Sequence, residues 1–210
     1  MALWDDGLID ERFEAGQRRQ TERVLPMVEQ ILARAGWKLS QLDAIAFGRG
    51  PGAFTGVRVA VSVAQGLGFA ADIPLIGIST LAASAHGAAL EHGDGNWLIG
   101  FDARMGELYL GGYSVTQGSV QTLLQDCVAA PSALPALPGG QWRGAGSGAL
   151  YLDAMRNAWP ALLDWDATQL PHAASVAALA AVEHAAGAGV AAEQARPVYL
   201  RDRVIQGAIR

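Results

Sequence analysis

The chain has 210 residues, 51% hydrophobic and 17% charged. That composition can build a core in one large domain or two small subdomains, and it argues against global disorder. The formal net charge is −5 and the longest basic cluster is Gln17-Arg18-Arg19-Gln20, so strong nucleic-acid binding by this chain alone is not expected. Cys127 is the only cysteine; this excludes an internal disulfide and fits a reducing compartment. No stretch reaches the roughly 18 uninterrupted apolar residues of a membrane span. The start, Met1 to Asp6, lacks the basic-then-apolar pattern of a leader. The expected location is the cytoplasm, with no membrane contact.

In chain order, Asp6-Gly7 signals a hairpin with arms Ala2–Trp4 and Leu8–Phe13. The first arm is short for a strand. Val24, Leu25, Val28, Ile31, Leu32 and Ala35 recur at helical spacing, predicting a helix over Thr21–Ala35 that Gly36 ends. Pro26 then calls for a kink or a later start. Asp43–Phe47 reads as a buried strand. After a glycine-rich turn, Val57, Val59, Val61 and Val63 alternate as in a strand, but the apolar run continues to Ala71, so Thr55–Ala71 is read as a helix capped by Thr55.

Pro74–Ser79 reads as a second buried strand and Leu81–Leu90 as a helix. The loop His92–Asn96 is a plausible boundary, dividing the chain into residues 1–94 and 95–210. Trp97–Asp102, a turn at Ala103–Gly106 and a return over Glu107–Ser114 form a second hairpin. Pro131–Gly148 is rich in Pro and Gly and reads as loop. A helix is predicted over Ala174–Ala186, followed by an extended tail from Arg196.

Motifs for chemistry are weak. Gly48, Gly50 and Ala53 formally match a dinucleotide fingerprint, but Pro51 interrupts the turn and Ile78-Ser79-Thr80 lacks the expected acid. No Gly-Lys-Ser/Thr follows for a phosphate loop. His86, His92, His172 and His184 show no metal-ligand spacing and are read as surface or loop residues. Ser147 lacks the flanking glycines of a nucleophile elbow. Cys127 has no histidine near it in sequence and reads as a packing residue. No metal or cofactor is expected, and no catalytic residue.

The glycine-rich turn remains. Gly50, Gly52 and Gly56 permit conformations closed to other residues, Pro51 stiffens the turn, Thr55 caps the helix, and Phe54 is expected to anchor it in the core. Val57, Ala60, Ala64 and Gly68 present little bulk, so another helix could approach. Packing on the chain's own sheet must account for one face. Arg58, Ser62 and Gln65 mark another.

Leu42–Arg58 (LDAIAFGRGPGAFTGVR) closely resembles the signature of the TsaB family. So do Ala64–Leu67, Pro74–Leu81, Asp102–Glu107 and Arg196–Arg201. These blocks keep the family's order and span nearly the whole chain. The resemblance implies an α/β fold of the actin/sugar-kinase/Hsp70 (ASKHA) type with two subdomains. It implies a non-catalytic scaffold subunit that pairs with the transferase TsaD and works with the ATPase TsaE to form N6-threonylcarbamoyladenosine on tRNA. The tRNA would be reached only through the complex, and a homodimer could form in isolation. The family pairs through its first two helices. The expected interface is therefore Leu25, Val28 and Leu32 on the first, and Val57, Arg58, Val61, Ala64, Gln65 and Gly68 on the second. Which helix face meets the partner stays open.

The family begins with a central strand and an Asp-Thr-Ser/Thr turn that this sequence lacks. A missing central strand leaves buried backbone groups unpaired, at roughly 1–3 kcal/mol each. The expectation is a start displaced by roughly 10–15 residues, about a strand and a turn. Mass spectrometry of the native protein would check it. Two other functions compete: a glycoprotease-type hydrolase or peptidase, which needs a nucleophile or metal, and a small-molecule kinase, suggested by fold alone.

Overall fold

The computed structural model describes residues 1–14 and 20–201. The cluster at Arg18 and Arg19 lies outside the described residues. β1 (Ala2–Trp4) and β2 (Leu8–Glu11) form the expected antiparallel hairpin, with Asp6 left-handed at φ 48° in its turn. α1 (Gln20–Ala35) runs through Pro26 and ends at Gly36, φ 72°. Its Ile31 and Leu32 bury Leu3 of the hairpin, with Val28 and Trp37 packed against them.

β3 (Ile45–Gly50) and β4 (Leu75–Ser79) pair in parallel, joined by α2 (Phe54–Ala71). A parallel pair needs a crossover, which settles the strand-or-helix ambiguity of the valine run in favour of helix. β3 extends past its expected end because Gly48 and Gly50 find partners in Ile78 and Ser79. α2 starts one residue early. Ala53 is its N-cap and no side chain caps it, so Thr55 lies inside the first turn.

α3 (Thr80–His92) follows β4 directly; the Ser79 hydroxyl accepts the Ala82 N–H at 3.2 Å. The second half is a five-stranded mixed sheet. It contains β5 (Gly95–Asp102), β6 (Leu108–Thr116), β7 (Ser119–Ala129), β8 (Trp142–Ala145) and β9 (Leu162–Asp166), in the order β7-β6-β5-β8-β9. α4 (Leu152–Ala158) precedes β9 and α5 (Ala173–Ala185) follows it. β7, α4 and β9 were not foreseen, and β8 falls in the stretch read as loop. β8 is short and shows no alternation. It is a strand because β5 and β9 pair with its two edges.

Alternation along β5 divides the core in two. Trp97 and Ile99 meet Leu81, Ala85 and Ala88 of α3, while Leu98 meets Met155 and Trp159 on the α4 side. Trp165 lies on a floor without side chains. A Cβ added at Gly144 would sit 2.2 Å from its ring, and one at Gly100 would sit 2.9 Å away.

α5 returns to the first half and packs on β1, β3, β4 and α3. A boundary at residue 94 assigns it to the second half by sequence, but the elements it packs on, β1, β2, β3, β4 and α3, all belong to the first. β1–β2 and β3–β4 remain separate two-stranded sheets carried on the same helix.

His86 is a correction to the surface reading of the histidines. It is 6% exposed inside α3, and its Nδ1 lies 3.0 Å from the Ser175 hydroxyl of α5. Burial holds its pKa below the ordinary 6.5, so the unfolded chain binds the proton more readily. Stability is therefore complete above the unfolded value and is lost as pH falls below it.

Three outcomes follow from these surroundings. Gly144→Ala should destabilise by about 2 kcal/mol in urea unfolding, because a rigid indole must move. Gly66→Ala, with open space around it on α2, should instead stabilise by about 0.5–1 kcal/mol. The Tm should fall from about pH 7.5 to about pH 5.5, and less steeply in His86→Gln; a flat wild-type profile would contradict the burial argument.

Candidate functional site

α2 is long and apolar enough, by length and composition, to cross a membrane. Here it lies across β3, yet only Val61, Ala64 and Gly68 are buried. Those three face inward. Val61 and Ala64 pack with Phe47 and Leu75, and a Cβ at Gly68 would meet Leu75 at 2.7 Å and the Ile73 carbonyl at 2.9 Å. The small-residue stripe thus serves the chain's own sheet.

Most residues of the expected interface share that fate. Val57 packs against the same core, and Gln65 donates from Nε2 to the Ala195 carbonyl at 3.1 Å. Leu32 is buried and Val28 half-buried against the hairpin. Leu25 and Arg58 are the two that face outward. An arginine at Ala64 or Gly68 would break the fold rather than probe a partner.

The outer side of α2 carries a different set. Phe54, expected in the core, is 56% exposed, and Phe69 is 82% exposed. Helical periodicity puts them on one side with Arg58 and Ser62. The Arg58 guanidinium lies 3.5 Å from the centre of the Phe54 ring and 5.6 Å from that of Tyr199. Its Nε donates to the Tyr199 hydroxyl at 2.9 Å. Thr55, Arg58, Val59, Ser62 and Val63 line a shallow groove of about 400 Å³ that Thr21 of α1 closes.

The glycine turn positions this face. Gly50 is buried with φ 99°, and a Cβ there would meet the Val198 carbonyl at 3.1 Å, so two constraints demand glycine. Pro51 follows through a cis peptide bond, and Gly52 approaches Val57. Sequence reasoning missed Tyr199. It comes from the tail, far along the chain; the Arg196–Arg201 block was its one visible signal.

A second cavity of about 730 Å³ opens between the halves, beside the carboxyl ends of β3 and β4. Ser79 and Tyr113 both donate to the Asp126 carboxylate, Ser79 at 2.5 Å. Burial, then the charge of Asp126, pushes the Tyr113 phenol up, so it stays protonated as a donor. The same two causes push the Cys127 thiol up, which makes it a poor nucleophile. Ser147 accepts the Asp102 N–H. Glu91, His92 and Asp166 each bring a ligand atom within 4.8 Å of the others. The Asp166 oxygens already accept bonds from Thr168 and His92. The Thr168 hydroxyl, aided by His92, holds that carboxyl below its usual range.

Residues 14–206 match the family model described as TsaD: tRNA N6-adenosine threonylcarbamoyltransferase. The Escherichia coli (strain K12) tRNA threonylcarbamoyladenosine biosynthesis protein TsaB is 38% identical over 209 residues, covering 97% of this chain and 90% of its own. The Haemophilus influenzae protein of the same description is 54% identical over 96 residues, 46% of this chain and 41% of its own. A crystal structure from Pseudomonas aeruginosa, described as an uncharacterized protein with similarity to peptidase YeaZ, aligns with a TM-score of 0.85 at 44% identity, over 90% of this chain and 88% of that one. Near-full-length identity and a shared fold agree, and the chain belongs to the TsaB family.

Proposed function

We propose that this chain is a non-catalytic subunit in tRNA threonylcarbamoyladenosine biosynthesis. It docks through the outer side of α2, with Leu25 of α1 beside it, onto a TsaD-type transferase. TsaE acts with the pair, and tRNA is engaged through the complex, in the cytoplasm. The name of the E. coli relative supports the pathway, and the TsaD-type family match supports a partner of related fold. The carrying observation is physical: an apolar helix in which only Val61, Ala64 and Gly68 are buried presents a ready-stacked Phe54–Arg58–Tyr199 cluster. Arginine and aromatic side chains dominate binding hot spots, and stacking before contact lowers the entropy cost of docking. In isolation the same face can pair two copies.

The finer architecture is part of this reading: an ASKHA-type fold in which a further strand belongs between β1 and β3. Two sheets that do not pair, both resting on α5, support it. The hydrolase alternative needs a reachable nucleophile beside a base. The Ser175–His86 contact has the right chemistry but is enclosed, at 2% and 6% exposure.

The test is reconstitution with the transferase and TsaE. The chain alone should transfer nothing, and the full mixture should modify tRNA. Arg58→Ala and Phe54→Ala should each weaken binding to the transferase by about 2 kcal/mol, roughly thirtyfold, in calorimetry. Modification that runs equally well without this chain would reject the proposal.

A further inference from the structure

Two sequence blocks have no part in the docking face, Asp102–Glu107 and the end of Arg196–Arg201. The structure brings them together. After a 3-10 turn at Ala192–Gln194 the chain runs extended across the end of the first half. The Ala195 carbonyl accepts from Gln65 of α2, and the Val198 N–H donates to the Arg49 carbonyl at 2.8 Å. Tyr199 then meets Arg58. Two residues later Arg201 enters the turn between β5 and β6. Its guanidinium donates to the Ala103 carbonyl at 3.2 Å, the Arg104 carbonyl at 3.3 Å and the Glu107 carboxylate, and it reaches the Met105 sulfur at 3.6 Å.

That turn is a specific receptor. Arg104 and Met105 both adopt left-handed backbone, φ 62° and 56°, followed by Gly106 at 79°. Consecutive left-handed residues other than glycine are unfavourable and persist where surrounding contacts hold them. Here the turned-out carbonyls of Ala103 and Arg104 point at one guanidinium. The Arg201 Nη2 donates to both, with Glu107 supplying the opposite charge at the same nitrogen and Met105 lying against Nη1. The Arg201 side chain is 17% exposed, against 81% for Arg104 beside it. Tyr199 has no comparable anchor: half its surface is open, and its described side-chain contacts are Arg58 and Phe54.

We propose that residues 195–201 are a strap, fastened at Arg201, that holds Tyr199 against Arg58 and so sets the docking face from the other half of the molecule. Arg201 is a positioning residue for the partner contact. The claim about docking rests on the function proposed above; the claim about the strap does not.

Two measurements keep these apart. In the isolated full chain, the Arg58 Nε–H should give a distinct, slowly exchanging nuclear magnetic resonance, assigned by its absence in Arg58→Lys. Tyr199→Phe should abolish the protection by removing the acceptor. Arg201→Ala should abolish it from a distance. Glu107→Gln should weaken it if Arg201→Ala does not fold. A protected Arg58 signal in a folded Arg201→Ala or Glu107→Gln chain overturns the strap. Calorimetry against the transferase then reads docking. Arg201→Ala should weaken binding about tenfold, and Arg58→Ala should be weakened no further by adding Arg201→Ala, since the two act through one contact. Additive losses, or wild-type affinity in Arg201→Ala, overturn the positioning role. Failure of the wild-type chain to bind overturns the docking reading and leaves the resonance to decide the strap.

Discussion

The close approach of α2 to its own sheet is the constraint on which the rest depends. Gly68 sits where a single added carbon would strike Leu75 and the Ile73 carbonyl. Ala64 and Val61 keep the same short distance along the helix. Because small residues supply the inner side, the helix covers β3 and β4 with little bulk. Its larger apolar residues are left outside. A helix built this way cannot hide Phe54 or Phe69 within its own domain. An exposed apolar face of this size is a reason for a partner.

The junction between the halves combines apolar packing with several polar contacts. α3 is buried on nearly all sides, against the five-stranded sheet on one and α5 on another. Its cap residue Ser79 shares the Asp126 carboxylate with Tyr113, so strand β7 of the second half is tied to the end of β4 in the first. An unpaired carboxylate there would be costly; with two hydroxyl donors it is satisfied. The tail makes a second tie through Arg201. Connections of this kind make the relative placement of the halves a determinant of surfaces that neither half owns alone.

The second half shows a related economy in its tryptophans. The indoles of Trp97, Trp142, Trp159 and Trp165 each donate to a backbone carbonyl, in three cases one lying in a loop that has no ladder of its own. Each proline removes an N–H from this loop, and the Pro135 and Pro138 carbonyls take indole donors from Trp159 at the end of α4 and Trp142 of β8. This explains how Pro131–Gly148 can be loop-like in composition and still frame a strand, β8, in the middle of the sheet.

Local pattern determined a good deal of this protein. Helical spacing placed α1, α2, α3 and α5 within one or two residues at most ends, turn chemistry placed the first hairpin and the Ala103–Gly106 turn, and ordered motif blocks identified the family. The short strands β8 and β9 were illegible, because β8 is held by neighbours on both edges and β9 by its pairing with β8, rather than by alternation. The site was illegible for a related reason. A stripe of small residues and a face with Arg58, Ser62 and Gln65 were both read on α2, and Phe54 was expected in the core. Sequence spacing says which residues share a side but not which side meets the sheet. Only the folded chain decided that the small side turns inward at Leu75. Only it brought Tyr199 across 141 residues to Arg58, since contacts between distant segments are set by the packing of whole elements and leave no periodic trace.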